Sequence, residues 1–284
     1  MKAFKGIIAL DIDGTITVDK HILEKKVGDY LNHLIAEGWG LIFLTGRSFA
    51  FSQSVLSSIR GEYFFSPQNG ASLYSMPRGI CLKKYFISTS LLKQLDSFFH
   101  KTGSGLLVES GKENEDICYY KPKDFTAANL EYLSFRRKIT PEKWVAVNTF
   151  DSLSIPEFAV GKYFGSFEET VNLTKKLEEH FSLSLITIQD PFRPGYYLAH
   201  LNAPQASKGK ILEDVISLQA PGLPVIAAGD DYNDVGMLEK SRVKIVMKNA
   251  PVSLHGLADI LAPPAEEQGI IKGLEEAIWK VSLK

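Results

Sequence analysis

The sequence predicts an α/β fold: a doubly wound parallel sheet built from both ends of the chain, with a second, α+β domain inserted between them. Three observations carry this prediction. Short apolar runs ending in acids or turn residues open the chain, GIIALDID (6–13) and GLIFLT (40–45). Runs of the same kind return near its end, LPVIAAGD (223–230) and VKIVM (243–247). Strands apolar on both faces are those that helices cover on both sides, as in a parallel sheet. Between residues 78 and 200 the rhythm changes to amphipathic strands, as in a sheet with one half-exposed face. The length of 284 residues accommodates two such domains.

In order, the first strand leads into a helix on which Ile22, Val27, Leu31, Leu34 and Ile35 fall close to one face, with Gly38 as its stop. GLIFLT is the second strand, residues 48–60 read as helical, and short strands follow at Tyr63–Ser66 and Ala71–Tyr74. In the insert, strands are expected at Leu106–Glu109, Val145–Thr149, Phe158–Phe164, Leu183–Ile188 and Tyr196–Leu201, with a helix at Glu168–His180. Loop-rich segments are expected at Ser110–Glu115 and Asp190–Gly195. After residue 207 the buried strands resume, ADILA (258–262) being a weaker one. Ile270, Ile271, Leu274, Ile278 and Val281 mark a terminal amphipathic helix. The expected core is therefore 1–77 with 202–284, and the expected insert is 78–201, hinged near Met76–Gly79 and Leu201–Pro204.

Thirty-two basic and 33 acidic residues give a net charge of −1, without the basic excess of a nucleic-acid or membrane-surface binder. Cys81 and Cys118 have neither metal-ligand nor redox spacing and read as reduced thiols. The apolar stretch at the N-terminus is short for a signal or membrane span and runs at once into acids, so a cytoplasmic location is expected.

Four segments bear chemistry, each at a strand end or a helix start, where open α/β sheets bind ligands. In Asp11-Ile12-Asp13-Gly14-Thr15, side chains two apart on an extended strand point the same way. Two carboxylates brought together in this way favour a cation, and Mg²⁺ takes hard oxygen ligands. A strand end running into an Asp-Gly turn explains the same residues. Leu44-Thr45-Gly46-Arg47 offers donors to an anion, although Thr45 alone reads as a helix cap. Lys208, in Ser207-Lys208-Gly209-Lys210, could place positive charge on a phosphoryl group, or be a solvated lysine. Gly229-Asp230-Asp231-Tyr232-Asn233-Asp234 gathers three carboxylates and an amide, which invites a metal or simply caps a helix.

In this order and placement the four segments resemble the haloacid dehalogenase superfamily, whose hallmarks are DxDGT, a Thr or Ser after the second strand, a later Lys, and GDxxND. The long interval between Thr45 and Lys208 resembles the Cof-type subfamily (subclass IIB), which carries its α+β cap there. Gln68-Asn69-Gly70-Ala71, Lys248-Asn249-Ala250-Pro251 and Gln268-Gly269-Ile270 also fit, except that Gly is commoner where Lys248 stands. The resemblance implies a Rossmann-like core with an inserted cap, and a phosphatase acting on small phosphorylated metabolites, sugar phosphates foremost. It implies Asp11 as nucleophile and Asp13 as general acid and base. Mg²⁺ would be held by Asp11, the backbone carbonyl of Asp13, and Asp230. Thr45, the amides around Gly46, Lys208 and Asn233 would bind phosphate. Asp234 would support Lys208 or water on the metal from behind, while Asp231 and Lys210 read as surface residues. In the insert, His200 reads as an ordinary polar or core residue or a substrate contact, and Arg193, in Asp190-Pro191-Phe192-Arg193-Pro194-Gly195-Tyr196, as a solvated arginine or a contact for a second anion. A phosphosugar mutase and a non-catalytic phosphometabolite-binding protein are the alternatives; the full catalytic set argues against the latter. Oligomeric state is left open.

Overall fold

The computed structural model describes residues 4–18, 21–102, 105–190 and 192–283. Pro191, within the loop read as a possible anion contact, lies outside them. The chain divides into two units: residues 1–47, 52–84 and 207–284 form the first, and residues 48–51 and 85–206 the second.

The first unit begins β1 (Ile7–Asp11), α1 (Lys25–Ala36), β2 (Gly40–Leu44), α2 (Phe49–Leu56), β3 (Tyr63–Ser66), β4 (Ser72–Met76) and β5 (Ile80–Lys84). Every residue of β1, β2 and β3 is buried, as continuous apolar runs require. Helix α1 starts at Lys25, so Ile22 precedes it and lies exposed, and Gly38 (φ +94°) follows its end. β4 and β5 form an antiparallel hairpin on this sheet, and 77–79 is its turn. The segment read as a hinge is therefore the tip of a hairpin, and the division into units falls after Lys84.

The second unit carries β6 (Ile87–Ser88), α3 (Leu92–Thr102), β7 (Leu107–Glu109), β8 (Ile117–Tyr120), α4 (Ala127–Ile139), β9 (Lys143–Ala146), β10 (Glu157–Phe158), β11 (Val160–Ser166), α5 (Phe167–His180), β12 (Ser184–Gln189) and β13 (Tyr196–Asn202). Its main sheet runs β12-β13-β11-β7-β8-β9, antiparallel except for β8–β9. On one face, Val108, Tyr163, Ala199 and Leu201 pack with Leu95 and Phe99 of α3 and Leu173 and Leu177 of α5. On the other, Leu107, Cys118, Tyr120, Phe164 and Leu198 pack with Tyr132 and Leu133 of α4. Among the described residues Cys81 and Cys118 form no disulfide.

The chain returns to the first unit with α6 (Lys208–Ser217), β14 (Val225–Gly229), α7 (Val235–Glu239), β15 (Val243–Met247), β16 (Ile260–Ala262) and α8 (Gly269–Ser282). Its sheet order is β16-β15-β14-β1-β2-β3-β4-β5, parallel from β16 to β3. This is the doubly wound α/β core expected. Strand order reverses at β1, which has β2 on one side and β14 on the other. The crevice beyond such a switch point is where ligands bind. Among the described residues no helix is long and apolar enough to cross a membrane.

Candidate active site

Register brings the four segments together. Asp11 pairs with Leu44, so Thr45 emerges one residue beyond it on the neighbouring strand. Leu10 pairs with Ala228 on the other side, so Asp230 leaves β14 beside Asp11. Lys208, the first residue of α6, is capped into place by Ser207, whose Oγ accepts a hydrogen bond from the Lys210 amide at 3.0 Å.

Lys208 is fully buried and donates to Asp11 Oδ1 and, at 2.6 Å, to Asp234 Oδ1. Burial alone would lower its pKa, but the two carboxylates outweigh that and raise it, so the ammonium is retained. Asp234 Oδ2 accepts from the amides of Asp230 (2.9 Å) and Asp231 (3.1 Å). Asp234 thus ties the lysine to the acidic loop with both its oxygens. Asp231 caps the short turn that follows rather than standing as a plain surface residue.

Asp11, Asp230 and Asp234 each place a carboxylate oxygen within 4.8 Å of the others. Burial pushes the Asp11 carboxyl up to about 7, with Asp234 and Asp13 adding to the rise and Lys208 opposing it. Burial pushes Asp230 up to about 9, reinforced by Asp11 and Asp234. One ammonium does not balance three clustered carboxylates, two buried and one half-buried, and hard oxygen donors so arranged fit a divalent cation. Gly14 makes the close approach possible: a Cβ there would lie 2.1 Å from Asp230 Oδ2, and its φ of +74° suits glycine. Asp230 is further held by Thr15 Oγ1 at 3.3 Å and by Asn249 Nδ2 at 2.9 Å, which also donates to the Gly14 carbonyl at 3.2 Å.

The Asp13 carboxylate stands outside that cluster. Its side chain is 48% exposed and is gripped by Arg47, itself only 5% exposed. Arg47 Nε donates to Oδ2 at 2.8 Å and Nη2 to Oδ1. Two carboxylates separated by one residue therefore have opposite surroundings, one buried on a lysine and the other facing solvent on an arginine. Thr45 is buried, and its Oγ1 accepts from the Arg47 amide at 3.1 Å across Gly46. Asn233 donates to Asn69 Oδ1 at 3.0 Å.

Every expected site residue thus belongs to the first unit. Arg47, Asn69, Asn249 and Thr15 also hold the site, and no role follows for them from the motifs alone; the segments Gln68–Ala71 and Lys248–Pro251 are the available signal. Lys210 pairs with Asp214 at 3.1 Å and Glu213 at 3.5 Å, at the surface as expected. In the second unit His200 is buried on β13, and the Arg193 guanidinium stacks 3.6 Å from the Tyr196 ring centroid and 5.2 Å from that of Tyr132.

A model of the haloacid dehalogenase-like hydrolases matches residues 8–274. The chain belongs to this family. It is similar to the phosphatase YwpJ of Bacillus subtilis, 23% identical over 93% of this chain and 96% of that one. It is similar in fold to a haloacid dehalogenase-like hydrolase from Bacteroides thetaiotaomicron, with a TM-score of 0.78, 18% identity, and coverage of 97% of this chain and 100% of that one. A subclass IIB sugar phosphatase superposes with a TM-score of 0.72 at 20% identity, covering 95% and 98% of the two chains. The reading as a member of the haloacid dehalogenase superfamily stands, and the enzyme is a hydrolase of the phosphoric monoester kind.

Proposed function

We propose that this enzyme is a Mg²⁺-dependent phosphatase of small phosphorylated metabolites, sugar phosphates foremost, that works through an aspartyl phosphate on Asp11. The observation that carries the reading is the contrast between Asp11 and Asp13. Asp11 is held in one orientation by Lys208, at the end of β1, among acids that call for a cation. Asp13 is close in sequence but solvent-facing, held by the Arg47 guanidinium.

In the first step an Asp11 oxygen forms a bond to phosphorus while the bond from phosphorus to the substrate oxygen breaks. Asp13 donates its proton to the departing alkoxide. In the second step Asp13 takes a proton from water, the water oxygen bonds to phosphorus, and the acyl–phosphate bond breaks, releasing phosphate and restoring Asp11. Lys208 and the amides around Thr45 and Gly46 hold the phosphoryl oxygens, with Asn233. Asp11, the Asp13 carbonyl and Asp230 would hold Mg²⁺, which supplies shielding between an anionic nucleophile and an anionic substrate. These groups address phosphate and charge, and none distinguishes one alcohol from another. The second unit, whose long segment is 85–206, is the proposed element that reads the leaving group. A cytoplasmic enzyme with a small-molecule substrate, without nucleic acid or membrane, completes the proposal.

The test is phosphate release from a panel of phosphorylated metabolites and an aryl phosphate, with Mg²⁺ and with excess chelator. Turnover with Mg²⁺ and none with chelator is the expected result. Undiminished turnover in chelator, or a phosphorylated Asp11→Asn variant, overturns it. Conversion of a sugar phosphate to its isomer without net phosphate release moves the chain to the mutases.

A further inference from the structure

The turn after β3 is conformationally expensive. Gln68, Asn69 and Gly70 follow one another with φ of +53°, +55° and +93°. Three consecutive residues in the left-handed region, two of them not glycine, form a conformation that persists only where the surroundings impose it. All are buried.

What the turn does with its polar groups explains its position. The Gln68 amide donates to the Arg47 carbonyl at 2.8 Å, and the Asn69 amide to the Thr45 carbonyl at 2.8 Å. The Thr45 amide in turn donates to the Ser66 carbonyl at 3.0 Å. Two carbonyls of the Thr45–Arg47 loop are therefore drawn toward the turn, so their negative ends are taken up there rather than left to repel an anion. The Asn69 side chain accepts from Asn233 Nδ2 at 3.0 Å. Gly70 packs against the residue that caps α6: a Cβ there would lie 2.5 Å from the Ser207 carbonyl oxygen and 2.8 Å from its nitrogen. One turn thus touches the anion loop, the residue preceding Lys208, and Asn233.

We propose that Asn69 is a positioning residue for phosphate binding, acting through Asn233. A carboxamide has two N–H donors and one acceptor oxygen at opposite ends of a plane. Engaging one N–H on Asn69 fixes which end of the Asn233 amide is the donor and leaves the second N–H to a phosphoryl oxygen. The left-handed backbone is what aims the Asn69 oxygen at Asn233 while its amide serves Thr45. The inference rests on the phosphatase reading for the role of Asn233, and goes beyond it in assigning Asn69.

The test separates side chain from backbone. Asn69→Gly keeps the left-handed turn accessible and removes only the carboxamide, whereas Asn69→Ala also strains the backbone. Aryl phosphate turnover, the dissociation constant of inorganic phosphate, and the thermal midpoint are measured on both variants, on Asn233→Ala, and on the Asn69→Gly/Asn233→Ala double variant. Asn69→Gly is expected to melt close to wild type yet to lose about tenfold in kcat/KM and in phosphate affinity, the scale of one hydrogen bond. Because the two amides act as a unit, Asn233→Ala should cost little more in the Asn69→Gly background. Wild-type kinetics and phosphate affinity in Asn69→Gly overturn the proposal, as do fully additive losses in the double variant. A wild-type protein without turnover sinks the phosphatase reading by itself, and phosphate affinity then decides for Asn69. A wild-type protein with neither turnover nor phosphate binding sinks both.

Discussion

Both units bury lysine–carboxylate pairs, and the two sets differ in what they leave unbalanced. In the first unit Lys208 serves two carboxylates while a third, Asp230, stands close by, and the acids there rise well above their ordinary pKa. In the second unit Lys162 meets Glu109 at 2.6 Å on adjacent strands of one sheet, and Lys121 bridges Asp96 and, at 2.7 Å, Asp124. Among the described residues neither of those pairs belongs to a group of three acids close enough to share a cation, although Glu109 and Glu142 add to the burial that pushes Asp116 up to about 6. Buried ion pairs contribute little net stability but are costly to break on one side. The core pairs should therefore matter first for activity, and the inserted pairs first for stability.

The largest expected effect is at the nucleophile. Asp11→Asn should cut turnover of any substrate by at least about 10⁴-fold, the scale on which single catalytic residues act. Folding should survive, since the substitution removes a destabilised charge. Steady-state kinetics beside a thermal melt would check both halves; a folded variant with a loss under tenfold would break the contrast at its strongest point.

The next effect is a pH signature that should reach to higher pH than that of the second unit, where burial lifts the Asp116 carboxyl only to about 6. With carboxyls held above their ordinary value near 3.8, Asp11 at about 7 and Asp230 at about 9, the folded state holds these protons more tightly than the unfolded chain. The stability they contribute is fully present below about pH 4 and is lost as pH rises through 7 and 9. In chelator, the protein should lose stability across that window, and Mg²⁺ should restore it by occupying the ionised site. Asp230→Asn should melt above wild type at pH 8 in chelator and match it near pH 4. A flat pH profile in chelator would place the excess charge elsewhere.

The same contrast governs what could be read from the sequence. The core site was legible because its parts are contiguous: Asp11 to Thr15, Thr45 with Gly46, and Asp230 to Asp234 each fall within a few residues at a strand end. Arg47 stands beside one of those segments and Asn69 and Asn249 in two others, Gln68–Ala71 and Lys248–Pro251, yet their partners are distant in sequence, Asp13, Asn233 and Asp230 respectively. No local pattern announces such a pairing. In the insert the same problem covers nearly everything, since Lys162 and Glu109 are 53 positions apart. Strands β5 and β8 escaped for a related reason. β5 is largely exposed and reads ICLKK, and β8 is a four-residue ICYY among charges, so neither shows a period by itself.

In the second unit, Glu109→Gln should leave Lys162 buried against a neutral partner and destabilise the protein by about 3 kcal/mol. Replacing both partners, as Glu109→Leu with Lys162→Met, should recover most of that loss. Denaturant titration measures it. Turnover of an aryl phosphate by the folded fraction should change less than twofold, whereas Lys208→Met should reduce it by about 10² or more, the scale of losing one charge-stabilising group.

The smallest effect sharpens the comparison by removing charge from it altogether. Ser166 caps α5 in a reciprocal box: its Oγ accepts from the Glu169 amide at 3.3 Å, and the Glu169 carboxylate accepts from the Ser166 amide at 2.8 Å. That carboxylate is held below its ordinary pKa by hydrogen bonding to Ser166, its backbone amide first and its side chain second. Ser166→Ala removes one acceptor from the helix start and should cost about 1 kcal/mol. The Glu169 half of the box persists while the carboxylate is ionised, so the variant should lose further stability only as pH falls through the depressed pKa of that group. This runs opposite to the core acids, whose contribution fades as pH rises. A thermal-melt series from pH 3 to pH 9 on wild type, Ser166→Ala and Asp230→Asn would therefore show slopes of opposite sign. If Ser166→Ala instead followed the Asp230 profile, helix capping would not be what holds the start of α5.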